Sequence, residues 1–338
     1  TRVVATAQHR ELLDQALEAF ELTPDVDLDL MREDQVLADL TARLLESLEA
    51  LWRGMRPAVV LVQGDTTSSF AAALAAYYCQ IPIGHVEAGL RSGDKYAPFP
   101  EEVNRRLVDA LADEHFAPTE RAKRHLLAEG VPEERITVTG NTVVDALLWT
   151  LERIRATGFV PRGLPAGAMN GRKVVLVTAH RRESFGEGIG RICDALRTLS
   201  VSRPDTVIIY PVHPSPHVRG PVLERLGGIP NVHLTAPLDY PTLVYAMARA
   251  HVILTDSGGI QEEVPSLGKP VLVMREVTER SEAVEAGVAE LVGTDTARIG
   301  SRTVEWLDRP VALDPVTNPF GDGRAGERIV QVLLERLA

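Results

Sequence analysis

Asp65, Glu87, His180, His213 and Ser257 share one position in this chain's pattern: each falls just past an apolar run of strand length. The runs are Val59 to Val62, Ile83 to Val86, Val174 to Val177, Val207 to Tyr210 and Val252 to Leu254. Ligands of open parallel sheets bind beyond the carboxyl ends of the strands, so these are the side chains to inspect first. Carboxylates and imidazoles suit proton transfer, because burial or a neighbouring charge brings either toward neutral pH. Ser257 belongs to Leu254-Thr-Asp-Ser-Gly-Gly-Ile-Gln-Glu-Glu263, which reads as strand, tight turn and short helix ahead of another strand at Val271 to Met274. Gly258 and Gly259 let the backbone approach a ligand closely, and a helix start offers unpaired N–H groups and a positive dipole end. That is a phosphate site. Ser257 can add a hydroxyl donor, and Glu263, about one and a half turns on, can accept from a sugar diol, so a nucleotide diphosphate would use both.

Each residue also has a reading in which it serves only the fold. Asp65 precedes Thr66-Thr67-Ser68-Ser69 and could cap a helix, as could Ser257 or Asp256, with Glu263 left solvated. Glu101 and Glu102 follow Pro100 at a helix start, where the dipole favours acids, and Glu101 can pair with Arg105 four residues on. Glu87 lacks such an excuse, since a carboxylate ending an apolar strand is costly unless paired or functional. His180 sits in Thr178-Ala-His-Arg-Arg-Glu-Ser-Phe-Gly186 beside two guanidiniums, which favours a functional histidine; His213, close to Pro211 and Pro214, suits a rigid loop equally well. His9, His85, His115, His125, His217, His233 and His251 have no assignment from sequence.

The elements that must hold these residues follow from periodicity. Before residue 156, helical stretches such as Val36 to Met55, with Leu37, Leu40, Leu44, Leu48, Leu51, Trp52 and Met55 on one face, alternate with apolar strands. Residues 157–172 lose the pattern, six of the sixteen being Gly or Pro. It then restarts. Strands that are apolar throughout, separated by helices, imply parallel sheets covered on both faces. The expected class is therefore α/β, with doubly wound Rossmann-type domains at 1–156 and 173–322 joined by a linker at 157–172. Residues 308–322 read as irregular, and Arg324 to Leu337 as an amphipathic helix.

Composition sets outer bounds. A chain of 338 residues suits two domains of ~150 residues each. Its net charge of −11 and the lack of any Lys/Arg block argue against nucleic acid or an anionic membrane surface as partner. Cys79 and Cys193 show no Cys-x-x-Cys spacing and read as small buried residues in a reducing compartment, with no metal site. No apolar run approaches about 18 residues and no signal sequence is visible, so the expected location is the cytoplasm. The chain opens on Thr1-Arg-Val-Val-Ala-Thr, which reads like the interior of a fold.

Several segments in fixed order carry a resemblance. They are Val62-Gln-Gly-Asp-Thr-Thr67, Gly84-His-Val-Glu-Ala-Gly-Leu-Arg-Ser-Gly93, Phe99-Pro-Glu-Glu-Val-Asn-Arg105, Thr139-Gly-Asn-Thr142, Thr178-Ala-His-Arg-Arg-Glu183, Tyr210-Pro-Val-His213, Leu254 to Glu263, and Asn318-Pro-Phe-Gly-Asp-Gly323. Over nearly its whole length the chain resembles the non-hydrolysing UDP-N-acetylglucosamine 2-epimerases. The resemblance implies a GT-B-like fold with an interdomain active-site cleft, a C-terminal helix (323–338) returning to the first domain, and a homodimer. It implies interconversion of UDP-GlcNAc and UDP-ManNAc with no metal or nicotinamide cofactor, supplying ManNAc-type precursors for surface polysaccharide. Asp65, Glu87 and Glu101 resemble the family's acid/base carboxylates, and His180 its catalytic-loop histidine. Ser257, Gly258 and Gly259 match the diphosphate loop and Glu263 the ribose contact. Arg105, Arg181 and His213 match positions that touch substrate or, in some bacterial members, a second UDP-GlcNAc acting as allosteric activator. The family's opening strand and its Gly-Thr-Arg-Pro-Glu loop do not occur among these residues. Ser281, after Thr278-Glu-Arg280, and a shortened segment before Asn318 are smaller departures.

The chemistry implied explains the residue types. The hydrogen at C2 of the sugar is not next to a carbonyl, so a leaving group must depart as the proton does. Loss of UDP from C1 gives a 2-acetamidoglucal, and re-addition with protonation on the other face gives the epimer. Three other activities use similar parts: a hydrolysing epimerase, a GT-B glycosyltransferase and a non-catalytic nucleotide-sugar sensor. A sensor need not keep Asp65, Glu87, Glu101 and His180 together, and no docking surface for a membrane acceptor is visible.

Overall fold

The structure, a computed structural model, describes residues 1–6, 10–30, 36–165, 167–308 and 318–337. The chain divides into two compact units, Thr1–Thr142 with Arg324–Ala338, and Val143–Gly323. No helix among the described residues is long and apolar enough to cross a membrane.

Unit 1 runs β1 (Val4–Ala5), α1 (Arg10–Ala19), β2 (Val26–Asp27), α2 (Leu37–Met55), β3 (Val60–Gln63), α3 (Thr67–Tyr78), β4 (Ile83–Val86), α4 (Glu101–Leu111), β5 (Glu114–Ala117), α5 (Glu120–Ala128) and β6 (Ile136–Val138). Strands β3, β4, β5 and β6 lie side by side in chain order, all parallel, and β1 pairs with β2 in a separate parallel ribbon. The apolar stripe of α2 is real: Leu40, Leu44, Leu48 and Trp52, one every fourth residue, are its buried side chains. They pack into one core with Ala71, Ala73, Ala75 and Ala76 of α3. Small side chains there let the two helices lie close. Thr66 caps α3 by accepting the Ser69 N–H, so Asp65 is not needed as a cap.

Unit 2 contains α6 (Thr142–Ala156), β7 (Lys173–Thr178), α7 (Glu187–Ser202), β8 (Thr206–Pro211), α8 (Pro216–Leu226), β9 (Val232–Thr235), α9 (Tyr240–Arg249), β10 (Val252–Thr255), α10 (Gly258–Glu263), β11 (Val271–Val273), α11 (Ser281–Glu285), β12 (Ala289–Leu291) and α12 (Thr296–Asp308). Its six strands are parallel in the order β12-β11-β10-β7-β8-β9. Alternation explains the continuous apolar runs. Val175 and Val177 of β7 and Ile208 and Tyr210 of β8 enter a core with Ile189, Cys193 and Leu196 of α7. Val174, Leu176, Val207 and Ile209 enter the opposite core with Val144, Leu147 and Leu151 of α6 and Val244 and Met247 of α9. Helix α6, which the sequence pattern places before the linker, thus contributes three buried apolar side chains to unit 2, each worth roughly 1.5–3 kcal/mol.

Between β7 and β10 the winding of the sheet reverses, and the crevice at their carboxyl ends is its topological switch point. These two Rossmann-like sheets are those of the GT-B-like class expected from the sequence. The last helix, α13 (Ala325–Leu337), belongs to unit 1, where Ile329 and Leu333 cover Phe116 of β5. Of the irregular stretch expected at 308–322, residues 309–317 lie outside the described residues. Asn318 donates to the Glu262 carbonyl and the Ser266 hydroxyl, and Phe320 is buried in unit 2.

Candidate functional site

At the switch point of unit 2, β7 and β10 end on Thr178 and Thr255, whose hydroxyls meet at 2.7 Å. Asp256 follows, fully buried. One of its oxygens accepts the backbone N–H groups of His180 and Arg181 at 2.7 and 2.8 Å, and the other faces His180 Nδ1 at 3.3 Å. Asp256 therefore anchors the loop after β7 and does not cap α10. The His180 ring stacks on His213, with centroids 5.7 Å apart and planes 17° apart. Burial lowers the His180 pKa, the Asp256 charge opposes this, and Arg181 and His213 add to the lowering. Burial thus favours the neutral form of the His180 imidazole. His213 Nδ1 accepts the Ser215 N–H at 3.1 Å, which leaves Nε2 as its outward nitrogen. Arg181 Nε is buried with no hydrogen-bond partner among the described residues.

Ser257 precedes α10 but its side chain makes no capping hydrogen bond, so the hydroxyl stays available beside the helix start. The two glycines differ. A Cβ at Gly258 would come within 3.0 Å of the Arg280 guanidinium, whereas one at Gly259 would meet nothing within 4 Å. Arg280 thus lies over the first turn of α10, held by Glu262 at 2.7 Å. Gln261 ties the same loop down by accepting from Thr278 at 2.7 Å. A cation and the N–H groups of a helix start in one place suit a diphosphate. Glu263 is 4% exposed and accepts the Tyr240 hydroxyl at 2.6 Å, so it is not a solvated acid. Burial pushes its carboxyl up to about 7; the Tyr240 hydrogen bond draws it back and the Glu262 charge adds to the rise.

Unit 1 collects the carboxylates. Asp65 accepts from the Arg105 guanidinium through its side chain and from Asn104 through its carbonyl at 3.0 Å. Arg105, 8% exposed, also lies 3.4 Å from Glu102, which is fully buried. The pairing open to Glu101 with Arg105 is not formed: among the described residues, the carboxylate partners of Arg105 are Asp65 and Glu102. The reason is placement, because Glu101 opens α4 partly exposed while Glu102 turns inward to accept the Ser92 N–H at 3.0 Å.

Glu87 sits at φ 72°, a left-handed conformation that costs a non-glycine residue about 1–2 kcal/mol. The Phe116 carbonyl holds it there by accepting the N–H groups of Glu87 and Ala88 at 3.0 and 3.2 Å. Such strain concentrates at functional sites. The Glu87 carboxylate accepts from Asn141 at 3.2 Å, and a Cβ on Gly64 would lie 3.4 Å from its other oxygen. Glu87 and the Gly64-Asp65 turn are therefore neighbours. Tyr240, Asn141 and Arg280 are site residues that the sequence did not assign. Asn141 lies in the Thr139-Gly-Asn-Thr142 segment and Arg280 in Thr278-Glu-Arg280, whereas Tyr240 carries no local signal.

The family model for UDP-N-acetylglucosamine 2-epimerase matches residues 1–334. A probable UDP-N-acetylglucosamine 2-epimerase of Ralstonia solanacearum is 51% identical over 337 residues, covering 98% of this chain and 90% of the relative. The UDP-N-acetylglucosamine 2-epimerase of Yersinia pestis is 51% identical over 339 residues, with the same 98% and 90% coverage. Among solved structures, the UDP-GlcNAc 2-epimerase of Neisseria meningitidis bound to UDP-GlcNAc matches with a TM-score of 0.87 at 44% identity, over 99% of this chain and 91% of that one.

Proposed function

The chain belongs to the UDP-N-acetylglucosamine 2-epimerase family, and from that premise we propose that it interconverts UDP-GlcNAc and UDP-ManNAc without hydrolysing them. The observation that carries this reading is the adjacency of Asp65 and Glu87 in unit 1, each held by a donor, Arg105 and Asn141. A base takes the proton from C2 as the C1–O bond breaks, the electron pair of the C–H bond becomes the C1–C2 double bond, and UDP leaves with the C–O pair. The intermediate is 2-acetamidoglucal. UDP then adds back to C1 while an acid protonates C2 from the other face. Asp65, Glu87 and Glu101 supply acid and base, with neutral His180 as a hydrogen-bonding group. Ser257, the start of α10 and Arg280 hold the departing diphosphate, each preorganised donor being worth up to ~3–4 kcal/mol. The net change moves only a proton, so no hydride carrier is required.

The same reading places the uridine ribose on Glu263. Glu263→Ala weakens UDP binding by roughly 1–3 kcal/mol, and calorimetry that finds UDP affinity unchanged removes that role. We further propose that the product feeds ManNAc-type polysaccharide precursors, that the enzyme works as a homodimer, that Arg105 touches substrate, and that a second UDP-GlcNAc at Arg181 and His213 of unit 2 acts as activator.

Incubation with UDP-GlcNAc alone in deuterium oxide tests the proposal. UDP-ManNAc carrying deuterium at C2 is the expected product. Free ManNAc would identify a hydrolysing enzyme, no conversion would leave a sensor, and UDP-ManNAc without deuterium would mean that the C2 hydrogen is carried internally.

A further inference from the structure

His85 lies in β4, fully buried, and both of its ring nitrogens face acceptors. Nδ1 is 2.5 Å from Asp109 Oδ1 on α4, and Nε2 is 2.9 Å from the carbonyl oxygen of Gly64. A neutral imidazole has a single N–H and would aim its other lone pair at one of these oxygens, an unpaired contact that is expensive where water cannot intervene. Two N–H groups satisfy both. The carboxylate side is built for this. Asp109 Oδ2 accepts the Gly89 N–H at 3.2 Å and an Arg91 N–H at 2.7 Å. Burial pushes the Asp109 carboxyl up, but His85 and Arg91 together hold it below the ordinary aspartate range. Arg91 is shared with Glu129, which also faces Arg106, while His115 of β5 reaches Asp109 only through its backbone carbonyl at 2.9 Å. Among the described residues, the charge in contact with the His85 ring is therefore the Asp109 carboxylate.

The other end of the imidazole meets the turn that leads into Asp65. Gly64, at φ 69°, turns the chain out of β3, and its N–H donates to the Val86 carbonyl at 3.0 Å. The next residue is Asp65, and Gly64 itself borders the Glu87 carboxylate. We propose that His85 is a positioning residue: as an imidazolium bridging Asp109 and the Gly64 carbonyl, it fixes the turn that sets the Asp65 and Glu87 carboxylates relative to each other, and it touches no substrate. The assignment rests on the elimination reading, in which those carboxylates handle the C2 proton.

Two measurements test it. In the unaltered protein labelled with ¹⁵N at histidine, both His85 ring nitrogens carry a hydrogen, as two facing acceptors require; one ring nitrogen without a hydrogen overturns the assignment. The side-chain amide of His85→Gln can donate to only one of the two acceptors. This variant loses kcat on the order of 10²-fold, the scale of a displacement of about 1 Å at a reacting group, while its KM and its affinity for UDP stay within about twofold. A purely structural histidine would instead lower the melting temperature and leave kcat per folded molecule intact, and that result overturns the proposal. Should His85→Gln not fold, the spectrum of the unaltered protein decides. An unaltered protein that makes no UDP-ManNAc defeats the epimerase reading, whereas turnover equal in unaltered protein and variant defeats only the role of His85.

Discussion

Asp65→Asn and Glu87→Gln each slow epimerisation by about 10²–10⁴-fold while UDP binds as before. Both changes keep side-chain size and hydrogen-bonding capacity, so the loss isolates the charge and the transferable proton. In Asp65→Asn the amide oxygen still accepts from Arg105, and Arg105 keeps Glu102 at 3.4 Å. Local structure survives. In Glu87→Gln the residue stays long and keeps the left-handed backbone that the Phe116 carbonyl enforces. UDP affinity is spared because the residues suited to the nucleotide, Ser257, Arg280 and Glu263, all belong to unit 2. Whichever residue serves only in protonating the intermediate leaves a variant that can eliminate but not complete the reaction, and that variant releases 2-acetamidoglucal and UDP. Steady-state rates with product analysis check this. A rate within a few-fold of the unaltered enzyme for both variants removes these carboxylates from the chemistry.

Much of the frame that carries these groups is legible from sequence, for a physical reason. In unit 2 the central strands are covered on both faces, so neighbouring residues are buried alternately on opposite sides and the strand shows as an unbroken apolar run, Val174 to Val177 or Val207 to Tyr210. The Ser257 turn is legible from its Gly-Gly pair, and at Gly258 a Cβ would sit tightly against the Arg280 guanidinium, at 3.0 Å. Contacts distant in sequence leave no such mark. Tyr240 meets Glu263 from 23 residues away and Arg105 meets Asp65 from 40, so no local spacing announces either pair. The i,i+4 reading of Glu101 with Arg105 failed because local spacing could not see that Asp65 and Glu102 already surround that guanidinium. Strands β1 and β2, at two residues each, are too short for alternation to register. Helix α12 is different: Ile299, Thr303 and Leu307 repeat at four-residue spacing on its buried side, so a local signal for it is present in the sequence.

Replacing Glu263 by Gln makes unit 2 more stable at pH 8 and not at pH 4.5, with a swing of roughly 3 kcal/mol between them. The ordinary glutamate value is 4.5, and in the folded protein burial pushes the Glu263 carboxyl up to about 7. Below 4.5 the folded and unfolded chains both hold the proton, and the buried group costs nothing by this route. As pH rises from 4.5 toward 7, the unfolded chain releases the proton and the folded one retains it, so stability falls. Above that window both states are ionised and the loss is complete. Glutamine cannot ionise, yet its oxygen still accepts the Tyr240 hydroxyl, so the variant keeps the hydrogen bond and avoids the loss. Urea unfolding at several pH values measures the swing, with Trp149 and Trp306 reporting on unit 2, to which both belong. Stability curves that run parallel from pH 4.5 to 8 would mean that Glu263 is ionised throughout and that the Tyr240 bond outweighs burial. Saturating UDP narrows the gap at pH 8 if its ribose hydroxyls donate to Glu263, because new donors favour the ionised carboxylate and glutamine gains less from them. A group kept near neutral at a cost to the fold is then one whose charge the nucleotide stabilises on arrival.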